Sequence, residues 1–166
     1  MRSETPTQRE FSACFRESFH YLEGRGALNR PTMLYYYESV MGCPWEYKCG
    51  YWSVFVNLYV IWDIRDSLFS LFVEPSDDDR PPNPRGALPF INVDWILDMM
   101  SPGWRDDWPV VDTNNGFALI KLYATAIKPH AREILVPATR GGQGLEDFTW
   151  WPLVSARVAS AQPLPP

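Results

Sequence analysis

The sequence predicts a single, mainly α domain of five or six helices with Pro-rich loops, and three observations predict it. An apolar stretch from Tyr51 to Val73 is longer than a strand is expected to be. On either side of it, apolar residues recur at helical spacing. The 16 prolines cluster between these segments, as stiff connections would.

Of the twelve residues from Tyr51 to Trp62, ten are apolar, interrupted only by Ser53 and Asn57. A membrane span needs roughly 20 uninterrupted apolar residues, and Asp63, Arg65 and Asp66 break this one. Val54, Phe55, Val56, Tyr59, Val60 and Ile61 suit a pair of buried strands. No Gly, Pro or Asn-Gly turn divides the run, however. At ~100° per residue, Ser53, Asn57, Asp63, Asp66, Ser67 and Ser70 share one half of a helical wheel. The expectation is therefore a buried central helix over 51–73. A strand over 54–61 is the alternative; it makes the domain α+β and favours a sheet-backed ligand pocket.

The first helix is expected over 6–23. Thr5, Pro6 and Gln8 read as N-cap, N1 and N3 of a capping box. Phe11, Phe15, Phe19 and Leu22 form its apolar face, Arg9, Glu10, Arg16 and Glu17 its solvated one, and Gly24 its end. A second helix starts at Pro31, carries Met33, Leu34, Tyr37, Val40 and Met41, and ends at Gly42. CPWEYKCG is a turn. Residues 74–89 are acidic and then Pro-rich, an exposed connection. Asn92 caps a short helix, VDWILDMM, stopped by SPG at 101–103. A further helix opens at Asp112 or Thr113 and runs to Lys128, with Phe117, Ile120, Tyr123 or Ala124, and Ile127 inward. HAREILV is a short helix or a strand, and FTWWPLV a strand or a packed aromatic segment. The tail, 157–166, is expected to be extended.

One hundred and sixty-six residues with 46% apolar content bury a real core. The net charge is −5, concentrated in residues 61–112, which hold eleven acidic and four basic side chains. That acidic middle argues against nucleic acid, because phosphate contacts need clustered Lys and Arg. Three cysteines, Cys14, Cys43 and Cys49, are too few for a disulfide framework. Free thiols are expected, with a small Cys43–Cys49 loop disulfide as the alternative. The N-terminal ten residues have no apolar h-region, so a cytoplasmic site is the default expectation.

Chemistry leaves few traces. Asp77, Asp78 and Asp79 lack the Gly-punctuated frame of a cation loop. Asp63 with Asp66, and Asp94 with Asp98, stand at helical i, i+3 and i, i+4 spacing. Like charges so placed repel unless answered, and Arg65, Arg105 or Arg132 is available to answer them. Two histidines, His20 and His130, and no G-x-S-x-G frame give no nucleophile constellation. GRG at 24–26 and RGGQG at 140–144 lack the Gly-Lys-Ser/Thr ending of a phosphate cradle. No cofactor or metal is implied.

The strongest signal is aromatic. Trp45, Trp104, Trp108, Trp150 and Trp151 stand beside Pro or Gly in expected loops, and Tyr35 and Tyr36 fall off the apolar stripe of their expected helix. Such rings pack on the domain's own surface or mark an interface. The leading expectation is a non-catalytic structural or protein-interaction subunit of a larger assembly, with these seven residues as interface candidates and protein as the partner. The alternative is a small enzyme or ligand-binding protein with an aromatic pocket and Asp63, Asp66, Asp94 or Asp98 as acid–base groups.

Overall fold

Two hydrogen-bonded turns decide the architecture of the central stretch. Ser53 Oγ accepts from the Phe55 and Val56 N–H groups at 3.1 and 3.2 Å, and the Ser53 N–H donates to the Val56 carbonyl at 2.9 Å. Asp63 Oδ1 accepts from the Arg65 and Asp66 N–H groups at 2.9 and 3.0 Å, and Ser67 takes a positive φ of 55°. Short polar side chains that bond their own following backbone reverse a chain without Gly or Pro. The described residues of the 51–73 run are therefore the end of one strand, the whole of a second and most of a third, and not a helix.

The computed structural model describes residues 7–23, 34–39, 45–53, 55–75, 91–109, 115–138 and 145–161. Among them β1 (Tyr35–Ser39), β2 (Glu46–Trp52), β3 (Val56–Asp63), β4 (Leu68–Pro75) and the short β5 (Ile91–Asn92) form one antiparallel sheet in chain order. Leu58 sets the register at its centre, opposite Tyr51 of β2 and Val73 of β4. The mainly α expectation is thus corrected to its α+β alternative. The reason is burial on both sides of the sheet: Val56, Leu58, Val60 and Trp62 are buried on one face of β3, and Asn57 and Tyr59 on the other. A strand buried on both faces loses the alternation that would betray it.

The expected helix from Pro31 to Gly42 is likewise corrected, since residues 35–39 are β1, a run of aromatic residues with high β propensity. The flanking helices come closer to expectation. Helix α1 (Gln8–Ser18) buries Phe11 and Phe15, and a 3-10 turn (His20–Leu22) continues the same face with Phe19 and Leu22. Its capping box is Thr7 with Glu10, two residues later than expected: Thr7 Oγ1 accepts from the Glu10 N–H at 3.2 Å and Glu10 Oε2 accepts from the Thr7 N–H at 2.7 Å. Asn92 caps α2 (Val93–Met100) as expected. Asn115, not Asp112 or Thr113, caps α3 (Gly116–Ile127). Residues 130–136 contain α4 (Ala131–Leu135), entered from a 3-10 turn (Lys128–His130). The FTWWPLV segment leads into α5 (Trp151–Ala161), which tolerates Pro152 because first-turn positions need no N–H. The expected extended tail from 157 is corrected accordingly, as helix continues to 161.

Helix α1 lies on β2 and against α3. Phe11 meets Tyr47 and Trp62 at ring distances of 5.5 and 5.4 Å, and Phe15 meets Tyr51 at 5.9 Å. Helix α3 approaches so closely at Gly116 that a Cβ there would stand 2.5 Å from Trp62 Cδ2. Cys14 and Cys49 are free thiols, so the Cys43–Cys49 disulfide does not form. Cys43 itself lies outside the described residues, as do Thr5, Pro6 and Pro31, the 74–89 connection from residue 76, the Asp77–Asp79 run, GRG, RGGQG and the tail from 162.

Candidate functional site

Strand alternation places Tyr37, Lys48, Gly50, Asn57, Tyr59 and Glu74 on the sheet face opposite α1. At its centre the face is polar and closed to solvent: Lys48 is 1% exposed, Asn57 1% and Glu74 8%. Gly50 stands between Tyr37 of β1 and Tyr59 of β3 in the register. A Cβ at Gly50 would come within 2.7 Å of Tyr59 Cβ and 2.4 Å of the Leu58 carbonyl oxygen. Lys48 Nζ lies 4.2 Å from the centroid of the Tyr59 ring, a cation–π distance.

Glu74 is the hub of this cluster. Its carboxylate accepts from Asn57 Nδ2 at 3.4 Å and from Tyr59 Oη at 3.5 Å, both at the long limit of a hydrogen bond. Tyr37, Lys48 and Tyr59 all feel its charge. Burial pushes the Glu74 carboxyl above its usual range, against the pull of Lys48, Asn57 and Tyr59. Burial pushes the Lys48 amine below its usual range, against Glu74 and Glu46. Lys48 Nζ and Tyr37 Oη are both buried without a hydrogen-bond partner. The same desolvation thus disfavours the charged form of both groups, although each one's charge favours the other's.

A second charged cluster forms where the 101–108 turns meet α2, α3 and α5. Arg105 pairs with Asp94, which also accepts from Tyr123 Oη. Asp98 accepts from Trp104 Nε1 and from Arg157 Nη1, each at 2.9 Å. The guanidinium of Arg105 lies 4.3 Å from the Trp104 ring centroid, and Trp104 meets Trp108 edge-on at 4.9 Å. Each carboxylate of the Asp94/Asp98 pair is answered by an arginine, Arg105 for the first, as the spacing argument required. Asp63 and Asp66 are answered by Arg65, at 3.9 and 2.9 Å.

The seven interface candidates divide by position. Trp150 is 2% exposed and donates to the Ile134 carbonyl, so its ring is internal. Trp104, Trp108 and Trp151 are half-buried against the core. Trp45 is half-buried under the Arg65 guanidinium, 5.0 Å from its ring centroid. Tyr36 donates its hydroxyl to the Ser12 carbonyl and to Glu38. Tyr35 alone of the seven is largely exposed, at 44%, and stacks on Trp52 at 4.8 Å. Sequence reasoning missed Lys48 and Glu74; the signal was a lysine and a glutamate flanked by apolar and aromatic residues.

A hollow of about 240 Å³ between α1 and α3 is lined by Ser18, Tyr21, Lys121, Ala124, Thr125 and Lys128. Its Tyr21 and Thr125 hydroxyls donate to the Ala124 and Lys121 carbonyls, and so serve the fold. Among the described residues no group of three His, Cys, Asp or Glu side chains is placed to hold a metal ion. No helix among them is long and apolar enough to cross a membrane. Comparison of the chain with protein-family models, with curated proteins and with solved structures finds no match.

Proposed function

We propose that this chain is a protein-interaction subunit of a larger assembly, docking through the β1 margin of its sheet. The observation that carries the reading is the exposed Tyr35 ring stacked on Trp52, at the end strand of the sheet. Rigid aromatic rings are the side chains that anchor interfaces, and end strands are the part of a sheet that partner chains extend. Light scattering after size exclusion tests it. The expected result is a mass that is a multiple of 19.2 kDa, reduced to one chain by Tyr35→Asp with the thermal transition unchanged. A 19.2 kDa species at every concentration overturns self-assembly.

A ligand-binding protein is the second reading, favoured by the pair of buried, unpartnered donors on Lys48 and Tyr37. In that reading the carboxylate at the aromatic-walled site is Glu74, and not one of the four aspartates first considered.

A further inference from the structure

We infer that the centre of the sheet face opposite α1 binds one small hydroxylic molecule, whose oxygen accepts from Lys48 Nζ and Tyr37 Oη and whose O–H donates to Glu74. The inference deepens the second reading and is independent of docking at Tyr35. Its ground is geometric. Lys48 at 1% exposure and Tyr37 present buried donors with no hydrogen-bond partner, from adjacent strands and on one face. Buried donors of this kind are almost always matched, by protein or by a bound molecule.

The chemistry of the lining selects the ligand class. Two donors, Asn57 Nδ2 and Tyr59 Oη, reach the Glu74 carboxylate at 3.4 and 3.5 Å, and two more on the same face, Lys48 Nζ and Tyr37 Oη, feel its charge without bonding it. A metal ion would meet the Lys48 ammonium, and an anion would meet the Glu74 carboxylate. A neutral hydroxyl meets neither objection, because one oxygen both accepts and donates. Water and a small alcohol or polyol share that chemistry.

Tyr37→Phe removes one donor and no charge. With a molecule bound, the variant loses a hydrogen bond and its melting temperature falls by about 2–4 °C. With nothing bound, loss of an unmatched hydroxyl leaves the melting temperature unchanged or raised, which overturns the inference. Ethylene glycol separates the two sources. A rise in melting temperature with glycol that is larger in the wild type than in Tyr37→Phe assigns the site to a small organic hydroxyl; an equal response in both, together with the lower melting temperature of the variant, assigns it to water. A high-resolution crystal structure of the wild type gives the direct readout. An oxygen within hydrogen-bond distance of both Lys48 Nζ and Tyr37 Oη is expected, and a direct bond from either donor to Glu74 with no such oxygen overturns the inference.

Discussion

The molecule holds two charged, aromatic-walled clusters, and they are built on opposite principles. Around Asp94 and Asp98, each carboxylate has an arginine and a second donor, Tyr123 Oη for one and Trp104 Nε1 for the other. The groups are part-exposed: the Arg157 and Asp98 side chains are 40% and 41% accessible. Around Glu74, the lysine is buried, the hydrogen bonds are long, and two donors are unmatched. A matched network at the surface locks α2, α3 and α5 to one another and asks nothing further. An under-matched network in a sheet interior costs stability that a merely structural role would not require, since well-packed apolar residues hold such a site at least as firmly.

The largest test of this contrast is Glu74→Gln. The substitution keeps the shape of the side chain and leaves the Lys48 ammonium buried without its counter-charge. Lys48 Nζ does not hydrogen-bond the carboxylate, so what is lost is a longer-range attraction, and leaving the buried ammonium unanswered costs about 1–3 kcal/mol. The loss should appear in urea unfolding at neutral pH and shrink as the pH is raised, because Lys48, already held below its usual range by burial, then sheds its proton. A neutral or stabilising effect at pH 7 would mean that the cost of burying the Glu74 carboxyl outweighs its attraction to Lys48.

The same contrast decided what was legible in the sequence. Helix α1 was readable because only one of its faces is buried, so Phe11, Phe15 and Phe19 stand out at intervals of four. The sheet was not, because Tyr59 and Asn57 are as inaccessible as the Leu58 and Val60 of the other face. Its turns were hidden too, since Ser53 and Asp63 make them through side-chain acceptors rather than Gly or Pro. Asp94 and Asp98 were found by helical spacing, and Arg105 was named among their possible answers. Arg157, 59 positions from Asp98, was not, because only tertiary packing brings α5 to α2. Lys48, Asn57 and Glu74 share no local spacing, as each comes from a different strand.

The two clusters should also respond to acid with opposite signs. For Asp98, burial raises the carboxyl, but hydrogen bonds from Trp104 and Arg157 outweigh it and hold the group below its ordinary 3.8. Its contribution is complete above 3.8 and is lost as the pH falls through the lower folded value. Glu74 is raised above its ordinary 4.5 by burial. Between 4.5 and its folded value the folded state keeps a proton that the unfolded chain releases, so stability falls as the pH rises. Urea unfolding across the acid range should therefore show Asp98→Asn flattening the loss below 3.8, and Glu74→Gln flattening the slope above 4.5. Interchanged or absent effects would remove the electrostatic distinction between the clusters.

The smallest effect is expected at Arg157→Ala, and its smallness is the informative part. The guanidinium bonds Asp98 at 2.9 Å and lies 5.5 Å from the Trp95 ring centroid, with both charged groups open to water. Exposed pairs of this kind contribute up to about 1 kcal/mol and are weakened by salt. Asp98 also keeps Trp104 Nε1 as a donor, so no buried charge is left unanswered. The substitution should shift the urea midpoint slightly at low salt and less at high salt. A loss as large as that of Glu74→Gln would show that the surface network is as desolvated as the sheet centre, and that matching of partners, rather than burial, separates the two.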